Sequence, residues 1–235
     1  MRTRFVVLCS AAFVALLPAA TSSAIAQSAA SVNATIVLDH GWQFRQVTSR
    51  QDPSAGWMPA AVPGDVHLDL LANKKINDPY YRDNEAKLQW IQDESWEYRL
   101  NFDVTPSVMA RSNVDLVFDG LDAVADVYVN ETKVLHADNM FRVWRISAKP
   151  DLHAGKNEMR VVFPSPVKAA AEAAVRDPWF SKTKVAAKTY VRKAAYEYGW
   201  DWGPTFLTSG IWRPSCASRH GTSCASPILP FASAT

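Results

Sequence analysis

Apolar and polar side chains alternate strictly over residues 96–104, from Trp96 to Val104. A period of two is typical of a β-strand that buries one face and exposes the other. Pro106 ends this strand, because proline cannot donate a hydrogen bond to a sheet ladder. Residues 130–133 predict a hairpin turn between two later strands. Shorter apolar stretches predict four further strands, at residues 114–118, 124–129, 134–137 and 159–163.

Helical signals are few by comparison. Asp65 can cap a short helix that runs to Leu71, and residues 167–175 form an alanine-rich segment behind Pro166, a position where helices tolerate proline. Short strands roughly every 8 to 15 residues favour an all-β fold, whereas a doubly wound sheet needs helices that alternate with strands. The pattern therefore predicts an all-β, jelly-roll β-sandwich with one or two short helices.

The first part of the chain differs in character from the rest. A basic start leads into an apolar run over residues 5–20, and a cleavage site of the small-x-small type ends at Ala26. This order predicts a secretory signal peptide over residues 1–26. A retained membrane anchor is the alternative, although a spanning helix needs about 20 apolar residues. We expect a secreted or periplasmic protein whose mature chain starts at about Gln27.

The charge balance gives little reason to expect a polyanionic partner. The whole chain carries 25 Lys and Arg against 23 Asp and Glu. The leader contains Arg2 and Arg4 and no acidic residue, so the mature chain is close to neutral. Without a basic stripe that releases counterions from phosphates, nucleic acid is not an expected partner. A membrane surface is not expected either once the leader has been removed.

Self-contained catalytic motifs are absent from the sequence. It has no glycine-rich phosphate loop, zinc-binding helix motif, nucleophile elbow or calcium loop. Cys216 and Cys224 could pair, but they would close only a small terminal loop. We expect no metal site and no cofactor, because the histidines lack the spacing of ligands. They are His40, His67, His136, His153 and His220.

The most informative stretch is residues 192–204, where Asp201 lies between Trp200 and Trp202. Glycine and proline around these three residues prevent a helix or strand from running through them. Sugars present apolar C–H faces and a rim of hydroxyls, so aromatic platforms beside a carboxylate suit them. The residues alone leave the alternative equally open, in which the indoles plug the end of the sandwich and Asp201 binds backbone amides or an arginine.

Two segments at the end of this region resemble a known family. The sequence WDWGP at residues 200–204, followed by SGIWRP at residues 209–214, is similar to the end of the N-terminal domain of β-mannosidases of glycoside hydrolase family 2. The resemblance runs from about Leu38 to Pro214, in order, and this serial agreement is more specific than any single motif. Further matches lie at residues 63–67, 84–91, 96–99, 119–122 and 139–142.

The resemblance implies a galactose-binding-like jelly roll that faces a sugar pocket. Members of the family join such a sandwich to immunoglobulin-like domains and a (β/α)8 barrel, in which two glutamates carry out retaining hydrolysis of terminal β-D-mannosides. If the roles of the matching family motif apply to this sequence, Asp201 would bind hydroxyls of the terminal mannose, and Trp200 and Trp202 would shape the wall of the pocket.

The resemblance also draws attention to a possible substrate loop with Asn84, Glu85 and Trp90, which would approach the sugar or serve only in packing. Neither barrel glutamate has a counterpart in the sequence, so no catalytic residue is predicted. A retaining mechanism needs two carboxyl groups about 5–5.5 Å apart. We therefore expect the chain to be inactive alone and to need the missing barrel domain as its partner.

The composition changes after Pro214. Residues 215–235 contain five serines, two cysteines and no acidic residue, without strand or helix periodicity. We therefore predict an unstructured or frame-shifted tail behind a sugar-facing sandwich over residues 27–214. In the family, residues 209–214 lead directly into a further strand of the sandwich, so the loss of that strand would leave an open sheet edge and a marginally stable, aggregation-prone product.

The resemblance thus predicts the non-catalytic N-terminal portion of a truncated β-mannosidase-like hydrolase, with a β-mannoside as a ligand that it binds weakly alone. A free-standing carbohydrate-binding module is the alternative. A subunit that completes an enzyme with a separate barrel chain, or an unrelated exported adhesion domain, also stays open.

Overall fold

The structure is a computed structural model that describes residues 36–47, 56–176, 187–200 and 203–218. The predicted signal peptide, over residues 1–26, lies outside the described residues. Within the described part of the chain, no helix is long and apolar enough to cross a membrane.

Antiparallel strands dominate the described part of the chain. Their bounds are β1 Ile36–Val37, β2 Gln43–Gln46, β3 Met58–Pro59, β4 Trp96–Val104, β5 Asp115–Phe118, β6 Val124–Val129, β7 Thr132–Asp138, β8 Trp144–Ser147, β9 Gly155–Phe163, β10 Tyr198–Trp200, β11 Gly203–Thr205 and β12 Ser215–Ser218. One sheet has the order β3-β2-β4-β9-β6-β7, a second has the order β1-β12-β5-β8, and β10 and β11 pair separately.

Short helices lie between the strands. Asp65 caps the first of them, because its Oδ1 accepts hydrogen bonds from the amides of His67 and Leu68 at 2.8 and 3.2 Å. Within the described ranges, three 3-10 turns lie at Lys149–Asp151, Ala187–Tyr190 and Ala195–Glu197. The α-helices are α1 Val66–Ala72, α2 Asn84–Leu88, α3 Trp90–Asp93, α4 Pro106–Met109 and α5 Pro166–Arg176.

The two larger sheets share one apolar core, which makes the fold a β-sandwich. Alternate residues of β4 are fully buried, and Trp96, Tyr98 and Leu100 lie in the same cluster as Leu116 and Phe118 of β5 from the other sheet. Burying each such side chain contributes roughly 1.5–3 kcal/mol. The predicted all-β sandwich is therefore confirmed.

The predicted elements are present with small changes in their ends. The strand over 96–104 and the strand over 124–129 have the predicted bounds, and both predicted helices are found as α1 and α5. The structure adds α2, α3 and α4 to the one or two helices that were expected. These helices have four or five residues, which is too short for a period of 3.6 residues to show in the sequence.

The predicted start of the tail at residue 215 is wrong by at least one strand. Residues Ser215–Ser218 form β12, which pairs with β1 on one side and β5 on the other. These four small residues lack an alternating pattern, but backbone pairing needs no particular side chain. The open sheet edge expected after Pro214 is therefore filled, and residues 219–235 lie outside the described residues.

Candidate functional site

The predicted sugar-binding residues lie at the β10–β11 pair. Trp200 ends β10 and pairs with Gly203 at the start of β11, so residues 201 and 202 connect the two strands. Asp201 and Trp202 lie outside the described residues, as does the side chain of Trp200. Their contact with a sugar stays a prediction, while the backbone on both sides of them can be described.

Glu85 in α2 and Gln89, directly after α2, bind the end of β11 that lies away from the connection to β10. The Oε1 of Glu85 accepts a hydrogen bond from the amide of Thr205 at 2.6 Å, and the Nε2 of Gln89 donates to the carbonyl of the same residue at 3.0 Å. Two side chains thus bind the backbone amide and carbonyl of Thr205, which a neighbouring strand would otherwise do. The fold therefore places Glu85 next to the β10–β11 pair, where it fixes the backbone of Thr205.

The other two residues of the predicted loop have different surroundings. Asn84 donates from its Nδ2 to the carbonyl of Asp78 at 2.8 Å, which ties the loop to itself. Trp90 packs its ring against Trp96 with centroids 6.1 Å apart and is 41% exposed. The structure therefore gives both side chains contacts within the sandwich, and their approach to a sugar stays a prediction.

A buried ion cluster lies beneath the strand pair. The Nζ of Lys193 is 2.5 Å from Asp122 Oδ1 and 2.6 Å from Glu197 Oε2, and it donates to the carbonyl of Thr208 at 2.8 Å. The Lys193 side chain is completely buried, and Asp122 is 2% exposed. Ions taken out of water are tolerated only when they are paired and hydrogen-bonded in this way.

The Thr208 hydroxyl connects the two acids of this cluster. Its Oγ1 lies 2.5 Å from Asp122 Oδ2 and 2.8 Å from Glu197 Oε2. A hydroxyl has one hydrogen, so it can donate to only one of the two carboxyl groups at a time. Both acids also contact the ammonium group of Lys193, which lowers the cost of their burial.

Burial shifts the pKa values of three groups in and around the cluster. Burial raises the pKa of Asp122 to about 6, although Lys193 opposes the shift. Burial also raises the pKa of Asp65, whose Oδ1 caps α1. The pKa of His67 is lowered to about 4, first by burial and second by the charge of Lys193.

The backbone around the cluster fits together closely. The amides of Gly64 and Val66 donate to the carbonyls of Ile211 and Ser209, and the amide of Asp122 donates to the carbonyl of Gly210 at 3.0 Å. A Cβ atom on Gly210 would lie 2.6 Å from the carbonyl oxygen of Gly64, so only glycine fits there. Residues 209–211 are thereby fixed between the start of α1 and the segment that carries Asp122.

A cavity of about 360 Å³ opens next to this cluster. Its volume is in the range of small-molecule pockets, which are usually mostly apolar with a few polar groups. It adjoins Gly203 and Pro204 at the start of β11. The remaining lining residues are acidic, aromatic or otherwise apolar, with one threonine: Asp65, Asp122, Glu197, Tyr80, Tyr196, Phe206, Trp212, Met140 and Thr208.

This arrangement suits binding better than bond cleavage. Asp122 and Glu197 both contact the ammonium group of Lys193, so neither is placed as an independent acid or nucleophile. Among the described residues, no group of three or more His, Cys, Asp and Glu side chains could hold a metal ion. The lysine supplies the positive charge at this position.

The sequence analysis missed the cluster as a unit. Lys193 and Glu197 are four residues apart within the stretch that was singled out, but Asp122 lies 71 residues before Lys193. A single sequence carries no signal that pairs residues at such a separation. The one available hint was the presence of a lysine among apolar neighbours such as Val191, Ala194 and Ala195.

Replacing Lys193 by methionine is expected to lower the free energy of unfolding by about 3–5 kcal/mol, because it leaves buried carboxyl groups without their cation. Chemical denaturation measures this change. Lys168→Met, on the exposed side of α5, is the matched control and should change stability by less than about 0.5 kcal/mol. Equal, small effects of the two substitutions would contradict a paired ion cluster.

Asp122 should make stability depend on pH. Because its folded pKa of about 6 exceeds the ordinary value of 3.8, the folded protein holds a proton between these pH values that the unfolded chain releases. Its contribution to stability therefore falls as pH rises through this window. We expect the stability of the wild type relative to Asp122→Asn to decrease by about 1–3 kcal/mol from about pH 4 to 7.

The titrations of Asp69 and His67 are present in both proteins, so they cancel in this difference. Denaturant unfolding of the two proteins at a series of pH values gives the result. A difference that does not change with pH would show that Asp122 is not protonated in the folded state.

Comparison with known proteins agrees with the fold and with the resemblance to β-mannosidases. Residues 42–213 match the family model of the glycosyl hydrolase 2 galactose-binding domain-like domain. Beta-mannosidase B of Aspergillus terreus is 42% identical over 179 residues, which cover 74% of this chain and 21% of that protein. Beta-mannosidase B of Aspergillus niger is 38% identical over 185 residues, covering 77% and 22%.

A solved structure also shows similarity to a β-mannosidase. The β-D-mannosidase from Dictyoglomus thermophilum superimposes with a TM-score of 0.72 at 37% sequence identity, over 78% of this chain and 22% of that one. The chain thus spans about a fifth of the length of the β-mannosidases it matches. It belongs to the glycosyl hydrolase 2 galactose-binding domain-like family, and corresponds to the non-catalytic N-terminal domain of its β-mannosidase-like members.

Proposed function

We propose that this chain is the sugar-facing sandwich of a β-mannosidase-like glycoside hydrolase. In this proposal Asp201 binds hydroxyl groups of a terminal β-D-mannoside, and Trp200 and Trp202 form the wall beside it. The observation that supports the proposal best is the fixing of the β10–β11 pair from two sides. Glu85 and Gln89 hold β11, and Lys193 holds the segment before β10 to the segment after β11.

Such fixing matters because a binding group contributes most when its position is set before the ligand arrives. Asp201 lies between two strands whose outer ends are both held by buried or half-buried polar contacts. An ionised carboxylate can accept hydrogen bonds from two adjacent hydroxyl groups, which is the pattern that a pyranose presents. Rigid indoles on either side would then cover the apolar face of the ring.

The bond-cleaving step is assigned to another domain. Retaining hydrolysis uses two carboxyl groups about 5–5.5 Å apart on either side of the glycosidic bond. The family resemblance implies that a (β/α)8 barrel supplies them as two glutamates. The sandwich would contribute one wall of the pocket and so increase the affinity and selectivity for the terminal sugar.

Export forms part of the proposal. The basic and apolar leader over residues 1–26 supports a secretory route, with a periplasmic or extracellular site of action. A carbohydrate-binding module that works without a barrel is the second candidate. The cavity next to the β10–β11 pair favours it, because a module must hold its sugar with its own residues.

Asp201→Ala should weaken the binding of methyl β-D-mannoside by about tenfold, since a hydrogen bond to a charged group contributes about 1.5–3 kcal/mol. Saturation-transfer NMR on the full chain measures this at millimolar sugar. Asp138→Ala is the matched control, because Asp138 is an exposed aspartate at the end of β7. Equal binding by the wild type and Asp201→Ala would contradict the role given to Asp201.

A further inference from the structure

Three carboxylates line the cavity beside β11, and among the described residues one lysine contacts them. The carboxylates belong to Asp65, Asp122 and Glu197. The side chain of Lys193 is completely buried and contacts the last two. The imidazole of His67 adds no charge at neutral pH, because burial, and then the charge of Lys193, lower its pKa to about 4. Counted as ionised, the three acids therefore exceed the one ammonium group by two negative charges.

Two oxygens of these carboxylates accept no hydrogen bond from the described residues. Asp65 uses its Oδ1 to cap α1, which leaves Oδ2. Glu197 uses its Oε2 for Lys193 and Thr208, which leaves Oε1. Both oxygens of Asp122 are occupied. Glu197 is 8% exposed, and a carboxylate at such a depth is costly unless positive charge or a donor reaches it.

The two acids with a remaining oxygen are close enough for their charges to interact. Burial raises the pKa of Asp65 most, and the charge of Glu197 raises it further, while Lys193 acts in the opposite direction. Like charges that share a site disfavour each other's ionised form. A cation bound in the cavity would offset this repulsion for both acids at once.

The walls of the cavity are aromatic. Tyr80 and Tyr196 are 77% and 66% exposed, and Phe206 supports Tyr80 edge-on with ring centroids 5.5 Å apart. The face of an aromatic ring attracts cations. The ring of Trp212, which also lines the cavity, already has the guanidinium of Arg213 over it at 4.2 Å. The two exposed tyrosines are therefore the rings that a bound cation would use.

These features restrict the chemistry of the ligand. An anion would be repelled by the excess of negative charge. A neutral ligand would leave that excess unopposed, even if its hydroxyl groups reached the remaining oxygens. A metal ion lacks a ligand set, because no group of three or more His, Cys, Asp and Glu side chains in the described ranges could hold one. An organic ammonium ion joins positive charge to apolar surface, which suits the carboxylates and the rings together.

We propose that this cavity binds a small organic ammonium ion, such as a trimethylammonium compound. Its charge lies near Asp65 and Glu197, and its alkyl groups contact the rings of Tyr80 and Tyr196. The cavity volume of about 360 Å³ is within the range of small-molecule sites. The inference goes beyond the proposed function and does not depend on it, because it uses none of the residues predicted to bind mannose.

The test compares choline with 3,3-dimethyl-1-butanol, a neutral molecule of the same shape, in NMR titrations of the full chain at about pH 7.5. Both have a hydroxyl group and three methyl groups, so the comparison isolates the charge. The wild type should bind choline at least about tenfold more tightly than the alcohol. No measurable binding of choline, or equal affinity for the two compounds, would overturn the inference.

Asp65→Asn tests the role of the carboxylates. Asparagine is as good an N-cap as aspartate, so α1 keeps its cap while the cavity loses one negative charge. Choline should bind about fivefold more weakly, and the affinity for the neutral alcohol should stay the same. Circular dichroism verifies that the variant folds. Wild-type affinity for choline in the folded variant would contradict the proposal.

Substitutions of Tyr196 test the aromatic wall, and its exposure makes them compatible with folding. Tyr196→Ala should weaken choline binding about fivefold, whereas Tyr196→Phe should keep it, because the attraction needs the ring and not the hydroxyl. Tyr81→Ala is the matched control, since Tyr81 is 56% exposed and does not line this cavity. Equal losses in Tyr196→Ala and Tyr81→Ala, or no loss in Tyr196→Ala, would exclude the proposed binding mode.

Discussion

The arrangement of the site depends on one buried ammonium group. Lys193 contacts two carboxylates and a backbone carbonyl, with its side chain completely shielded from water. These partners come from three parts of the chain: the segment after β5, the turn before β10 and the segment after β11. Because an unpaired buried charge is so unfavourable, the three segments are forced to meet at one point.

This constraint explains how a sandwich can present a short connection with precision. The large sheets supply stability through their shared apolar core, while the β10–β11 pair has no place in either sheet. It is held instead by side chains, with Glu85 and Gln89 at one strand and the lysine cluster below. Polar contacts of this kind fix direction as well as distance, and a sugar-binding group needs both.

The sequence allowed much of the fold to be predicted, for physical reasons. The alternation in β4 shows plainly because this strand buries one face over nine residues. The cap at Asp65 was visible because it is a local interaction between neighbouring residues. By contrast, β12 was missed because its four small residues are held by backbone pairing with β1 and β5.

The site was predictable only in part. The acid between two indoles could be proposed as a sugar-binding group because the three residues are contiguous, and its contact with a sugar stays a prediction. The family resemblance of the chain agrees with the comparison to β-mannosidases. The clamp of Glu85 on Thr205 joins residues 120 positions apart, and the cluster joins Asp122 to a lysine 71 positions later. Such pairs are set by the tertiary fold, and local patterns contain no information about them.

The most direct measurement is amide hydrogen exchange in Thr208→Val, which removes the bridging hydroxyl and keeps the shape of the side chain. If the cluster fastens the strand pair, the amides of Thr205 and residue 208 should exchange faster, while the amides of β4 keep the rates of the wild type. Unchanged exchange at residues 205 and 208, or an equal increase throughout the sandwich, would contradict the account.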